Sequence, residues 1–164
     1  MDNKRYKAAV IGLGRIADTI DDEVVGSGWL EPFSHMGSYC EVPEVEVVGA
    51  ADTFPEQRKT FGERWGLSES KLYEDYREML INAKPDMVSV CTHVGPRAKI
   101  ALDIVQMVRE GKTSVKCIWV EKPMTESLEE ADELVKACDE AGVILMLNAM
   151  RASDVYYRRA RAMI

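Results

Sequence analysis

Five nearly continuous apolar runs are the feature that most constrains the fold of this chain. They cover residues 6–12, 45–52, 86–92, 115–121 and 143–148. Apolar and polar residues do not alternate in them, which is typical of strands covered by other elements on both faces. Helical patterns lie between the runs, most clearly at 55–66, 97–111 and 127–142. This alternation of strand and helix predicts an α/β domain with a parallel sheet and right-handed crossovers.

The segment 127–142 carries the clearest helix signals. Ser127, with Glu130 three residues later, predicts a capping box, and Gly142 predicts the end of the helix. The helical period places one set of apolar side chains on the face that we expect to be buried: Leu128, Ala131, Leu134, Val135 and Cys138.

Composition excludes several classes of partner. The net charge of −7 over 164 residues argues against a broad basic surface for nucleic acid. The apolar stretches are strand-sized, so no membrane span is expected, and the N-terminus lacks the features of a signal peptide. The four cysteines form no C-x-x-C pair. They are expected to be buried free thiols of a cytoplasmic protein.

The stretch 24–44 breaks the rhythm of strands and helices. It is too long for a simple connection between a helix and a strand, so we interpret it as an insertion in the first crossover. Residues 34–42 are expected to resume as helix.

A glycine motif follows the first apolar run. Gly12, Gly14 and Ala17 have the spacing G-x-G-x-x-A. Gly12 would permit a tight turn, Gly14 would let the backbone approach a pyrophosphate, and a helix opening at the turn would present free N–H groups to it. The motif alone also fits a strand–turn–helix unit without a ligand. Its place between a strand and a helix favours dinucleotide binding.

An acid ends the second apolar run, where it could accept hydrogen bonds from both ribose hydroxyls. The distance from Gly14 to Asp52 is longer than usual, and the insertion accounts for the excess. A 2′-phosphate about 4 Å from this carboxylate would suffer roughly 1–4 kcal/mol of repulsion per unit charge. Asp52 therefore predicts NAD in preference to NADP. Arg58, in the next helix, could in principle compensate that repulsion.

A second motif, Glu121-Lys122-Pro123, ends the fifth strand just before a capped helix. Together with "VIGLGRIA", "VGAAD", "VSVCT" and "AGVILMLN", it resembles the glucose–fructose oxidoreductase / inositol dehydrogenase (Gfo/Idh/MocA) family over essentially the whole chain. The resemblance implies a Rossmann domain that binds a nicotinamide dinucleotide. It also implies that Lys122 points at the substrate and assists proton movement at the reacting hydroxyl. The expected fold is a doubly wound parallel sheet of about six strands, with helices on both faces. The ligand cleft should lie where the strand order reverses.

The resemblance also implies the cofactor-binding set. Lys122 is the catalytic candidate, and no metal ligand is expected. Departures from the family pattern are visible: Arg97 stands where a histidine often lies, and after Asn148 the residues Ala149, Ala152 and Ser153 do not match. The cofactor-binding candidates are Gly12, Leu13, Gly14, Arg15, Ile16, Asp52, Thr53, Thr92, His93, Glu121, Lys122 and Asn148.

Family members continue into a second domain that supplies the substrate pocket, a catalytic histidine and the oligomer interface. We therefore expect residues 1–150 to be the NAD(P)-binding domain and 151–164 to begin the connecting helix. Two functions stay open. One is the cofactor half of an oxidoreductase acting on a sugar, polyol or related small molecule, in a chain that could form a homo-oligomer. The other is a nucleotide-binding module without catalysis. A methyltransferase that binds S-adenosylmethionine is disfavoured, because Glu-Lys-Pro has no purpose there.

Overall fold

The computed structural model describes residues 5–24, 32–149 and 155–164. Six strands form one sheet in the order β3-β2-β1-β4-β5-β6, and every neighbouring pair is parallel. The strands are β1 Tyr6–Ile11, β2 Val45–Ala51, β3 Leu72–Tyr73, β4 Met87–Val90, β5 Cys117–Val120 and β6 Ile144–Leu147. The chain moves outward from β1 to one edge, returns to β4 beside β1, and then moves outward to the other edge.

Seven α-helices connect the strands or follow them in the described ranges. They are α1 Ile20–Glu23, α2 His35–Cys40, α3 Pro55–Trp65, α4 Tyr76–Ala83, α5 Val94–Arg109, α6 Leu128–Ala141 and α7 Val155–Ala162. A 3₁₀ turn, Glu69–Lys71, precedes β3. Helix α2 lies within the predicted segment 34–42, and its cap Ser34 accepts a hydrogen bond from the Gly37 amide. Residues 25–31 of the expected insertion lie outside the described residues.

Two apolar clusters cover the two faces of the sheet. On one face, Ala8 and Val10 of β1 pack with residues of α2 and α3 such as Met36 and Phe61. On the other face, the alternate β1 residues pack with α4, α5 and α6. Successive side chains of a strand point to opposite faces, so β1 contributes to both clusters. The predicted doubly wound Rossmann sheet of about six strands is thereby confirmed.

The structure corrects the expected helix after the glycine motif. Residues 14–19 form successive turns, and regular helix is confined to the four residues of α1. The amide of Ala17 donates to the Gly14 carbonyl at 3.0 Å and that of Ile20 to the Arg15 carbonyl at 2.9 Å. The glycine motif is therefore followed by a tight coil rather than by the N-terminus of a long helix.

Two expectations about burial are wrong in part. Helix α6 has the predicted cap at Ser127 and ends at Gly142 in the left-handed conformation. However, Leu128 is 80% exposed and Val135 is 44% exposed, so the buried face of α6 is the narrower one that contains Leu134 and Cys138. The four cysteines are free, but Cys40 is exposed and Cys117 is only partly buried.

Candidate functional site

The carboxyl ends of the parallel strands bring the predicted site residues to one edge of the sheet. Ladder hydrogen bonds hold these ends in line: the Gly12 amide donates to the Ala51 carbonyl at 2.8 Å, and the Asn148 amide donates to the Val120 carbonyl at 2.7 Å. The strand order reverses between β1 and β4. A doubly wound sheet has a crevice at such a point, outside the carboxyl ends of its strands.

The two motif glycines have different surroundings. Gly12 has φ +84°, and a Cβ there would lie 2.8 Å from the Thr92 backbone nitrogen. Only glycine fits this close contact between the ends of β1 and β4. At Gly14, by contrast, a Cβ would meet no heavy atom of the described residues within 4 Å. The space above Gly14 is open, as a backbone approached by a ligand requires.

The Asp52 carboxylate lies directly against the glycine turn. One of its oxygens accepts a hydrogen bond from the Leu13 amide at 2.8 Å, and the other accepts from the Phe54 amide at 2.9 Å. A carboxylate offers about four acceptor positions, so each oxygen keeps capacity for a further donor. The Arg58 guanidinium donates to the Asp52 carbonyl at 2.6 Å. Thr53, the next residue, is exposed.

The turns after Gly14 are tied to α3. Asp18 is buried and accepts a hydrogen bond from the Trp65 indole at 2.7 Å. It also forms an ion pair with Arg64, whose Nε lies 3.1 Å from the Asp18 carboxylate. Burial raises the pKa of Asp18, although Trp65 and Arg64 oppose this. On the outer side, the exposed Arg15 guanidinium forms an ion pair with Glu23 at 2.6 Å. Asp18 thus attaches the buried side of the coil to α3, and the outer surface of the coil stays accessible.

Thr92 and His93 follow β4 beside the glycine turn. The hydroxyl oxygen of Thr92 is buried and has no hydrogen-bond partner in the part of the chain that the structure describes. A buried hydroxyl without a partner costs free energy, so a group that pairs with it would bind favourably. His93 is exposed and lies at the N-cap of α5, where its side chain makes no capping bond.

Arg97 joins the ends of β4 and β5. It is 5% exposed, its Nη1 donates to the carbonyls of Glu121 (at 2.9 Å) and Pro123, and its Nη2 donates to that of Thr92. Its Nε has no partner. Burial lowers the pKa of Arg97, and the nearby Glu121 charge opposes that shift. Arg97 therefore holds together the two loops that carry Thr92 and Lys122.

Glu121 lies beneath Lys122 and is 3% exposed. Its Oε1 contacts the His35 Nε2 at 3.1 Å and accepts a hydrogen bond from the Asn148 amide group. Its Oε2 accepts from the Lys122 backbone amide at 3.1 Å. Burial raises the pKa of Glu121, but the hydrogen bonds from His35, Asn148 and Lys122 outweigh it, so the net pKa is below the ordinary value. Glu121 is therefore a buried, ionised carboxylate.

Lys122 is exposed, and its peptide bond to Pro123 is cis. Within the described residues its ammonium group has neither an ion-pair partner nor a hydrogen-bond partner. A charged group that is free of internal partners at the end of β5 is available to a bound molecule. Asn148, at the end of β6, is buried instead, with its side-chain amide turned toward Glu121 and His35.

Other site types find no support in the described ranges. Residues 5–24, 32–149 and 155–164 contain no grouping of His, Cys, Asp and Glu side chains that could hold a metal ion. In the same ranges, no helix is both long enough and apolar enough to cross a membrane. A surface groove of ≈ 380 Å³ lies between α5 and α6, lined by residues such as Lys99, Gln106 and Glu133. None of the predicted site residues lines that groove.

Comparison with known proteins then identifies the family. A model of the family GFO_IDH_MocA, described as an oxidoreductase family with an NAD-binding Rossmann fold, matches residues 6–149. The chain belongs to this family. The resemblance inferred from the glycine turn and the Glu-Lys-Pro motif is confirmed, and the chain is an NAD-binding Rossmann domain of the Gfo/Idh/MocA family.

Individual relatives of this Gfo/Idh/MocA domain are sugar and polyol dehydrogenases. A D-glucoside 3-dehydrogenase of Escherichia coli (strain K12) is 27% identical over 160 residues, which cover 98% of this chain and 37% of that protein. A scyllo-inositol 2-dehydrogenase (NAD(+)) of Bacillus subtilis (strain 168) is 28% identical over 141 residues, 86% of this chain and 39% of that protein. The chain thus spans about two fifths of the length of these relatives.

The fold is also that of solved dehydrogenases. The scyllo-inositol dehydrogenase of Lactobacillus casei, crystallised with bound NAD(H) and scyllo-inositol, superposes with a TM-score of 0.70. It is 19% identical, and the match covers 98% of this chain and 41% of that one.

The Gfo/Idh/MocA motifs did not point to every residue of the site. His35, Tyr39 and Ser89 form a buried polar group under Glu121 that no motif indicated. The available signal is a histidine close to Met36 and Tyr39 in the segment 34–42, for which the sequence predicts only a helix. The role of Arg97 as a clamp was not visible either, because its partners are backbone carbonyls.

Proposed function

We propose that this domain supplies the cofactor half of a dehydrogenase that transfers hydride between NAD and a hydroxyl group of a sugar or polyol. The observation that carries the proposal is the open space above Gly14, at the reversal of strand order. Gly12 of the same turn lies against Thr92, whose buried hydroxyl has no hydrogen-bond partner among the described residues. An extended anion with polar sugar groups fits this combination. It could lie close to the backbone at Gly14 and form a hydrogen bond with the Thr92 hydroxyl.

The cofactor would lie across the carboxyl edge of the sheet. The turn from Gly12 to Ile16 would hold the pyrophosphate, with the Arg15 guanidinium beside it. The amides of Gly12 and Leu13 already donate to Ala51 and Asp52, so the backbone contacts would come from Gly14 onward. Asp52 and Thr53 would hold the adenosine ribose. Thr92, His93, Lys122 and Asn148 would lie on the nicotinamide side. Glu121 is buried, so we assign it to supporting Lys122 and Asn148 rather than to touching the cofactor.

The preference for NAD over NADP rests on Asp52 and Arg58. The Asp52 carboxylate would repel a 2′-phosphate. Arg58 of α3 is the candidate to offset that repulsion, yet its guanidinium already donates to the Asp52 carbonyl and lies 3.6 Å from Glu74. Binding a 2′-phosphate would require Arg58 to leave these partners.

Lys122 would act at the reacting hydroxyl. Oxidation of an alcohol removes a hydride from carbon and a proton from oxygen. A bound nicotinamide would accept the hydride, and the catalytic histidine that family members carry in their second domain would accept the proton. The Lys122 ammonium would donate a hydrogen bond to the substrate oxygen and stabilise the negative charge that develops there. The Glu121 carboxylate would keep the Lys122 backbone in place through its hydrogen bond to the amide.

The substrate class and the complete activity come from the relatives. The D-glucoside 3-dehydrogenase and the scyllo-inositol 2-dehydrogenase act on cyclic polyhydroxy compounds by their names, and this chain spans only part of their length. We propose the same class of substrate for the whole protein. The residues that enclose the substrate, and any self-association, would come from a second domain.

A nucleotide-binding module without catalysis is the second candidate. Arg97, buried as a clamp, occupies the place where the family often has histidine, and this favours the module. The free Lys122 ammonium favours the oxidoreductase.

Cofactor titration tests the proposal. Wild-type chain, Asp52→Ala and the control Asp132→Ala, an exposed acid of α6, would each be titrated with NADH and NADPH by calorimetry. We expect wild type and the control to bind NADH more tightly than NADPH, and Asp52→Ala to bind NADH more weakly with a narrowed preference. Unchanged NADH affinity in Asp52→Ala would remove Asp52 from the site, and absence of NADH binding by wild type would overturn the proposed function.

A further inference from the structure

A series of buried, hydrogen-bonded side chains connects helix α2 with the Glu-Lys-Pro turn. The Tyr39 hydroxyl lies 2.7 Å from the Ser89 hydroxyl, which lies 2.8 Å from the His35 Nδ1. The His35 Nε2 lies 3.1 Å from Glu121 Oε1, and Glu121 Oε2 accepts from the Lys122 amide at 3.1 Å. The four side chains of this hydrogen-bonded series, from Tyr39 to Glu121, are all buried.

All the hydrogen bonds of this series can be donated in the same direction, from Tyr39 toward Glu121. If His35 is neutral with its proton on Nε2, it donates to Glu121 and its Nδ1 must accept from Ser89. The Ser89 oxygen is then free to accept from the Tyr39 hydroxyl. Burial raises the pKa of Tyr39, so this hydroxyl keeps its proton and remains a donor. All three side chains therefore deliver a hydrogen bond toward the Glu121 carboxylate.

His35 is also held rigidly in place. Its side chain is 0% exposed, and its ring packs on the Trp119 ring with centroids 4.0 Å apart. Its backbone amide donates to the Ile16 carbonyl at 3.1 Å, so α2 is attached to the coil after the glycine turn. A histidine fixed by its ring, both nitrogens and its backbone can set the orientation of the carboxylate that it touches.

We propose that His35 is a positioning residue of the active site: it holds Glu121, and through Glu121 it fixes the Lys122 backbone at the mouth of the cofactor crevice. Helix α2, which lies in the segment interpreted as an insertion, therefore contributes a positioning residue to the site. The proposal rests on the proposed function for its catalytic meaning. The link from His35 to Lys122 is a property of the chain itself and is measured without cofactor.

Two substitutions separate the bonds of the His35 ring. In His35→Gln the side-chain amide nitrogen reaches the place of Nε2, so a donor to Glu121 is retained. In His35→Asn the amide reaches only the place of Nδ1, so the contact with Ser89 can persist while the donor to Glu121 is lost. Thermal unfolding of both variants reports on folding. If His35→Asn does not fold, Ser89→Ala removes the partner of Nδ1 and leaves Glu121 untouched, with a smaller effect expected in the same measurements.

The first measurement uses Lys122 as a reporter in the absence of cofactor. In chain labelled with ¹³C-lysine, the Lys122 Cε resonance is assigned by its loss in Lys122→Arg, and the exposed Lys99 and Lys116 serve as internal controls. We expect His35→Asn to shift the Lys122 resonance and its pH titration while Lys99 and Lys116 stay unchanged, and His35→Gln to restore the wild-type signal. An unchanged Lys122 resonance in a folded His35→Asn would overturn the proposal.

The second measurement compares NADH with ADP-ribose, which lacks the nicotinamide. The loss of one hydrogen bond to a charged group predicts about tenfold weaker NADH binding by His35→Asn. ADP-ribose affinity should change by less than about twofold. Equal losses for both ligands would show a merely structural role and contradict the proposal. If wild type bound neither ligand, the proposed function would fail, and the lysine resonances would still decide the link between His35 and Lys122.

Discussion

At the scale of single residues, the site combines satisfied and unsatisfied polar groups. The Glu121 carboxylate is buried with three hydrogen-bond partners, whereas the buried Thr92 hydroxyl has none. A satisfied buried group stabilises the fold, and an unsatisfied one lowers stability until something binds to it. The two residues therefore lead to opposite predictions for stability.

Replacing Thr92 with valine should stabilise the chain and weaken cofactor binding. Valine has nearly the shape of threonine without the unpaired hydroxyl, so the free energy of unfolding should rise by about 1 kcal/mol. NADH affinity should fall, because the hydroxyl is then no longer available. Urea unfolding and NADH titration measure the two effects.

The matched control is Thr113→Val, since the buried Thr113 hydroxyl donates to the Leu80 carbonyl at 3.2 Å. That variant should lose about 1 kcal/mol of stability and bind NADH as wild type does. Destabilisation of both variants by the same amount would show that the Thr92 hydroxyl is paired.

Glu121→Gln should reduce stability in a way that depends on pH. The folded pKa of Glu121 lies below its ordinary value of 4.5, so the unfolded chain binds more protons just below that pH. The stabilisation by Glu121 is therefore complete above about pH 4.5 and declines as the pH falls through the folded pKa. We expect the variant to be less stable by about 1–3 kcal/mol at about pH 6, and the difference to shrink at about pH 3.5. Urea unfolding at both pH values checks this, and a difference that stays constant would contradict it.

At the scale of elements, helix α6 shows what a local sequence signal determines. The Ser127 hydroxyl accepts a hydrogen bond from the Glu130 amide at 3.2 Å, as the capping pattern predicts. The Glu130 carboxylate bonds the Glu126 amide rather than that of Ser127, so the box is not reciprocal. Leu128, the first residue of α6, is exposed although the helical period predicts it on the buried face.

Ser127→Ala should destabilise the chain by about 1 kcal/mol, because an amide at the start of α6 loses its acceptor. Thermal and urea unfolding measure the change. Ser70→Ala is the control, since the Ser70 hydroxyl is exposed and contacts only the Ser68 hydroxyl, at 2.9 Å. That control should remain within about 0.5 kcal/mol of wild type. Equal losses of stability in Ser127→Ala and Ser70→Ala would contradict the capping role of Ser127.

The elements that the sequence predicted are those with local signals. Long apolar runs, glycines after helices and a capping serine marked five strands and the helices between them. The two-residue strand β3 carries no period of its own, and α4 after it was not predicted. The glycine motif correctly marked a turn, yet the coil that follows depends on Asp18 meeting Trp65, 47 residues away. No local pattern contains that contact.

At the scale of the whole molecule, the parallel topology explains why the strand ends could be predicted as a site but their support could not. Motifs at the ends of β1, β2, β4 and β5 must meet at one edge of a parallel sheet. The polar chain beneath them joins His35 to Ser89 and Glu121, which are 54 and 86 residues away in sequence. Those contacts depend on where α2 packs, and this is set by the apolar cluster on its face of the sheet.

The central claim is that NAD(H) binds across this edge, over Gly14. The most direct test follows backbone amide resonances of ¹⁵N-labelled chain by NMR while NADH is added up to about 1 mM, the upper range of ordinary enzyme affinities. Gly14→Val, titrated in parallel, fills the open space that the ligand needs, and its Cβ meets no atom of residues 5–24, 32–149 or 155–164 within 4 Å. We expect the largest resonance shifts at residues 12–16 and 92–93 and at Lys122. The amide resonances of the groove between α5 and α6 should stay unchanged. Gly14→Val should fold but show none of these shifts. Largest shifts in that groove, or equal shifts in wild type and Gly14→Val, would contradict it.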